Sequence, residues 1–389
     1  MGVTGNYYSR YLYIDRLWVD NGPRQIRFIG SHAEGNVSLT HKIRQFLGRL
    51  NPIKTSTAPR GRGPMDHIVI MDGTMATLRA GCETNAGLAY RLLCGSPNVG
   101  QMSMRYEQGT QWKSWRDAPA VATGVGINRQ IRRAYGFIAS RYRPGDRIFL
   151  LGYSRGAYAV RSLAGVIDRV GLLRDECATE RNIRQIYRHY QTSPDSTVAQ
   201  AFAERHCHER VEIEMVGVWD TVKALGNRLP VFWRYSQAAH EFHSHHLGPH
   251  IRHGYHALAM QETREAYTPI LWETAPGYEG VVEQVWFKGA HSDIGGQIGD
   301  FEAARPLANI PLVWMMEKLE SHGIVLPEGW QEQNPQDVAA PSIGTWVGWG
   351  KMFLLRKKRV IGADASESIH PSVPAEDRDQ IEIRQARTA

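Results

Sequence analysis

The sequence predicts an α/β fold, with a mostly parallel central sheet and helices on both faces. Three observations carry that expectation. Apolar runs of strand length alternate with helical periodicities, polar turns separate them, and a serine between glycines marks the point where one such run gives way to a helix. Residues 1–64 read as an N-terminal extension whose Pro-, Gly- and Arg-rich end, 51–64, is a linker, with a short basic helix at 39–50. Residues 65–389 read as the main domain, opening with a strand at 67–71. A helix is expected at 127–141 and, after the turn Arg143-Pro144-Gly145-Asp146, a buried strand at 148–151. Ala157, Val160, Leu163, Ala164, Ile167 and Val170 then recur at helical spacing, with Gly171 as the stop. Strands follow at 211–219 and 281–287, and a helix at 307–322 buries Ile310, Leu312, Val313, Met316 and Leu319. The histidine-rich stretch between the last two strands reads as part of a lid-like insertion around 223–265.

Composition narrows the class. The chain has 389 residues, enough for a large core, and 42% hydrophobic with 22% charged residues is ordinary for a globular protein. No apolar run reaches membrane-spanning length and the first residues lack a signal-peptide layout. The expected location is therefore cytoplasmic, with export by a route that needs no signal peptide left open. Four cysteines without C-x-x-C spacing suggest neither a zinc knuckle nor a disulfide framework. The net charge of +7 favours anionic partners such as a phospholipid surface, although a coding bias toward arginine accounts for it equally well; no nucleic-acid-binding signature is present.

Gly152-Tyr153-Ser154-Arg155-Gly156 has the G-x-S-x-G form of a nucleophile elbow, in which small neighbours let a strained serine project from a strand-to-helix turn. A serine hydroxyl needs an imidazole to take its proton and a carboxylate to orient that imidazole. In α/β-hydrolases these follow in the order Ser, Asp or Glu, His, each just past a strand. Ser154, Asp220 and His291 satisfy both order and position, and such a triad needs neither metal nor cofactor. Asp293 is the competing acid, or a brace for the histidine loop, and His256 and His370 are the alternative bases. Oxyanion donors are expected from the N–H of Arg155 and from Gly73 or Thr74 in the loop after the first strand. The Asp72-Gly73-Thr74 triplet also evokes a haloacid-dehalogenase D-x-D-G-T motif, but the essential nucleophile would fall on Ile70. Seven histidines between His240 and His256 have no recognisable ligand spacing and read as lid rather than metal site. The aromatic stretch 345–355 followed by Arg356-Lys357-Lys358-Arg359 would suit an anionic membrane surface, or ordinary packing.

Taken together, the elbow, the DGT loop, GVWDTV at 217–222, YHALA at 255–259 and GAHSDIGG at 289–296 resemble one α/β-hydrolase family. This is the family that supplies the catalytic domain of the first class of type VI secretion lipase effectors. The likeness runs from about residue 67 to 370, with Gln297 where members carry a third glycine. The resemblance implies hydrolysis of phospholipid or related lipid esters through Ser154, Asp220 and His291. The contrasting expectation is a hydrolase fold retained as a non-catalytic scaffold or membrane-associated interaction protein.

Overall fold

The computed structural model describes residues 62–109, 125–222, 246–346, 354–378 and 382–383. The expected extension, its basic helix and most of its linker therefore lie outside the described residues, as do residues 223–245 of the expected lid. Nine strands are described: β1 (Asp66–Met71), β2 (Met102–Glu107), β3 (Arg147–Tyr153), β4 (Ile213–Trp219), β5 (Ile251–Ala259), β6 (Val281–Phe287), β7 (Val360–Ile361), β8 (Glu367–Ile369) and β9 (Glu382–Ile383). The α-helices are α1 (Asn85–Cys94), α2 (Val125–Ala139), α3 (Arg155–Arg169), α4 (Glu180–Thr192), α5 (Thr197–His206), α6 (His291–Gly295), α7 (Arg305–Ser321) and α8 (Ala375–Arg378).

Seven strands form one sheet in the order β2-β1-β3-β4-β5-β6-β8, and every pairing in it is parallel. Parallel strands need crossovers; among the described residues α-helices supply those from β1 to β2, β2 to β3, β3 to β4 and out of β6, and helices lie on both faces of the sheet. Alternate side chains of each strand then enter opposite cores. Val69, Ile148, Leu150, Val216 and Val218 pack with α2, α3 and α4, while Ile68, Ile70, Phe149, Leu151, Met215 and Trp219 pack with α1 and α7.

The expected strands and helices of the main domain stand within about two residues of their predicted ends, a normal uncertainty for boundaries. The lid-like insertion is corrected where the structure describes it. Residues 251–259 are β5, a central strand between β4 and β6, rather than part of a lid. Its sequence IRHGYHALA hides this, because His256 and Tyr255 are buried without making an apolar run.

No helix among the described residues is long and apolar enough to cross a membrane. The topology puts the carboxyl ends of β1, β3, β4, β5 and β6 along one rim of the sheet, where the site is found.

Candidate active site

Ser154 follows the last residue of β3 and opens α3 with φ +57, a left-handed conformation that a residue with a Cβ rarely adopts. Both flanking glycines are required by contact. A Cβ at Gly152 would meet the Gly156 carbonyl oxygen at 2.7 Å, and one at Gly156 would meet the Met71 carbonyl oxygen at 2.1 Å. The elbow is thus wedged between its own helix and β1, which aims the hydroxyl at the rim.

His291 begins α6 just after β6, and its Nε2 lies 2.9 Å from Ser154 Oγ. Its Nδ1 lies 2.5 Å from Oδ2 of Asp220, the residue that follows β4 and itself has φ +42. The three groups expected from sequence are therefore brought together as one continuous chain, with Asp220 fully buried and Ser154 and His291 almost so. The rings of Tyr153 and Tyr267 pack on the imidazole at 5.0 and 4.8 Å, and the His291 N–H donates to Glu262 Oε2 (3.2 Å). Glu262 is itself paired with buried Arg264.

Arg359 is the component that sequence reasoning missed. It stands immediately before β7, in the basic run that suits an anionic membrane surface or ordinary packing. Its guanidinium nevertheless turns inward, donating from Nη1 to Asp220 Oδ1 (2.6 Å) and from Nη2 to Oδ2 (2.9 Å). It also donates to the carbonyls of Ala259 (2.8 Å) and Tyr267 (2.6 Å). Burial alone would raise the Asp220 carboxyl, but the Arg359 charge, with His291, holds it well below the usual carboxylate range. Nothing in the local sequence separates Arg359 from its three basic neighbours, since the signal is purely tertiary.

The oxyanion loop needs one correction. The Gly73 N–H donates to Oδ1 of Asp72 at 2.6 Å, so it is not available to a substrate. Among the described residues the N–H groups of Thr74 and of Arg155, at the amino end of α3, donate to no other group, which leaves them open to an oxyanion. Gly73 serves instead as the close-approach residue, because a Cβ there would sit 2.7 Å from the Tyr153 ring. Asp72 also accepts from Thr84 Oγ1 (2.6 Å) and Tyr106 Oη (2.5 Å). Desolvation outweighs these bonds and raises its carboxyl to about 6. Gln297, at the position where a glycine was expected, donates to the Thr74 carbonyl (3.0 Å) and ties the histidine loop to the oxyanion loop.

The alternatives fall elsewhere. His256 is fully buried, its Nε2 accepts from the Thr221 N–H (3.1 Å), and burial lowers it to about 3, so it is a neutral core histidine and not a base for Ser154. His370 stacks on Phe287 and bonds Ser372, not Ser154. Asp293 accepts from the N–H groups of Ala290 and Ile343 and from the Ser342 hydroxyl, bracing the loop rather than orienting the imidazole.

The chain is similar to several known proteins. A family profile described as the type VI secretion system phospholipase effector Tle1-like catalytic domain matches residues 66–318. An uncharacterized Saccharomyces cerevisiae protein is 29% identical over 161 residues, which cover 39% of this chain and 22% of that protein. Two solved structures are similar at 17% identity. One is an uncharacterized protein from Pseudomonas aeruginosa (TM-score 0.40, 70% of this chain and 49% of the other). The other is the Tle1 effector bound to the VgrG spike of the type VI secretion system (TM-score 0.32, 61% and 52%). The chain thus spans about a fifth of the yeast relative and about half of each solved chain.

Proposed function

Because the chain belongs to the Tle1-like phospholipase effector catalytic-domain family, we propose that it hydrolyses lipid carboxylic esters, phospholipids among them, through a Ser154-His291-Asp220 triad and an acyl-enzyme. The observation that carries the reading is the unbroken hydrogen-bond chain from Ser154 Oγ through both nitrogens of His291 to Asp220. In the first half-reaction Ser154 Oγ attacks the acyl carbonyl as its proton passes to His291 Nε2. The tetrahedral oxyanion is held by N–H groups of Arg155 and Thr74, and the imidazolium returns its proton to the departing alcohol. In the second, water attacks the acyl-serine with the same histidine as base and releases the fatty acid. Asp220 steadies the imidazolium, and Arg359 fixes Asp220.

The surface beside the site suits a lipid substrate. Trp346, Leu354 and Leu355 are exposed next to the exposed Lys357 and Lys358, and Leu355 is hydrogen-bonded to Glu265, close to Tyr267 over His291. We read this as the edge that rests on an anionic bilayer, aromatic and aliphatic groups at head-group depth and lysines on phosphates. Turnover of a short-chain ester panel and of defined phospholipids by wild type and Ser154→Ala tests the function. Loss of both activities in the variant is expected, and undiminished turnover would rule the triad out. Flotation with phosphatidylglycerol vesicles, abolished by Leu354→Glu/Leu355→Glu, tests the membrane edge; flotation unchanged by that double substitution would refute it.

A further inference from the structure

We propose that Glu214, His253 and His322 form a divalent-metal site of the zinc class at the opposite end of the sheet from Ser154. Glu214 is the second residue of β4, His253 lies near the start of neighbouring β5, and His322 caps the carboxyl end of α7. Three elements distant in sequence therefore converge. Glu214 is six residues before Asp220, which puts the cluster on the order of 20 Å from the triad along the strand direction.

The donor set and its spacing are those of a metal site. One nitrogen from each imidazole and one carboxylate oxygen of Glu214 all lie within 4.8 Å of one another. Nδ1 of His322 is 3.4 Å from Glu214 Oε1. This separation exceeds a normal hydrogen bond. It comes close to the edge of roughly 3.3 Å between ligands that sit about 2.0–2.1 Å from a tetrahedral zinc ion. The two imidazole rings lie close, tilted by 47° with centroids 4.1 Å apart.

The surroundings orient the ligands. Tyr255 Oη lies 3.0 Å from Nε2 of His322, so with Nδ1 on the metal the Nε2–H donates to the phenol, the outer partner that a ligating histidine usually has. Nδ1 of His253 donates to the Glu214 carbonyl at 2.9 Å, the outer partner of that ring, and leaves its Nε2 as the nitrogen for the metal. Two histidines and one carboxylate leave a fourth position for water and select zinc-like borderline cations over calcium or magnesium. The cations nearby sit to the side: Arg252 Nη1 is 3.4 Å from Oε2 of Glu214, the oxygen turned away from the imidazoles, and Arg147 donates to the His322 carbonyl. A bound ion would clamp β4, β5 and the end of α7 together, stabilising the end of the sheet that the active site does not use.

The test is titration of the full-length, chelator-treated protein with zinc chloride and, for its spectrum, cobalt chloride. One saturable equivalent, the visible bands of tetrahedral Co2+ and a rise in Tm are expected. His253→Ala and His322→Ala should each weaken zinc binding about 100-fold or more, and Tyr255→Phe, which leaves all three ligands in place, about tenfold. Short-ester turnover serves as the folding control, because none of these residues belongs to the triad. Absence of a saturable equivalent in the wild type would overturn the proposal. So would binding that persists undiminished in folded His253→Ala and His322→Ala, which would assign the metal to other groups such as the free thiols.

Discussion

Replacing Arg359 by Met removes the cation that bridges both oxygens of Asp220 while keeping most of the side-chain volume. The two partners are 5% and 0% exposed, so the loss leaves a buried carboxylate with His291 and the Ala259 N–H as its partners among the described residues. Breaking a buried pair on one side costs about 3–5 kcal/mol of stability. The kinetic consequence has a definite sign. The Arg359 charge holds the Asp220 carboxyl well below the usual carboxylate range, so without it the carboxyl rises and the acid limb of the kcat/KM profile, which needs Asp220 ionised, moves to higher pH. The assay is kcat/KM for a soluble short-chain ester across pH, beside thermal unfolding of the same samples. Arg359→Lys, which keeps the charge but loses the fork, should recover part of the pH displacement and less of the stability. An Arg359→Met enzyme whose acid limb and Tm both match wild type would refute the reasoning.

Other expectations follow from the same geometry. Ser154→Ala should lower kcat by about 10⁴-fold or more with the unfolding midpoint nearly unchanged, read by ester turnover and denaturant titration. Gly156→Ala forces a methyl into the Met71 and Asp72 carbonyls and should cost about 3 kcal/mol or more, seen as a lower urea midpoint. The Asp72 carboxyl is raised to about 6 in the fold, so its contribution to stability is full below its unfolded value and is lost as pH rises through 6. Asp72→Asn should therefore gain up to about 3 kcal/mol relative to wild type between about pH 3 and pH 7. Urea midpoints of the two proteins at several pH values check this, and parallel curves would contradict it.

The sequence shows a residue's chemistry where local pattern and backbone constraint coincide. Ser154, Asp220 and His291 each closely follow a strand whose last residues are apolar and buried, so their place on the rim could be read before any coordinates. β5 escaped because its buried positions include histidine and tyrosine, and β2 because as an edge strand its middle residues are only partly covered. Arg359 and Glu262 escaped for a different reason. Each acts through a contact nearly 30 or more residues away in sequence, and burial of a charge is decided by the partner that awaits it. The loop after β1 offers Gly73 or Thr74 as oxyanion donor, yet the side chain of Asp72 takes the Gly73 N–H, a competition that local pattern does not reveal.

The most direct measurement is intact-mass and peptide analysis after exposure to a fluorophosphonate, which reacts only with a serine whose proton has somewhere to go. The account predicts one equivalent of label, carried on Ser154, and loss of labelling in a folded His291→Ala variant. An unlabelled wild-type protein, or label carried by a different serine, would contradict it.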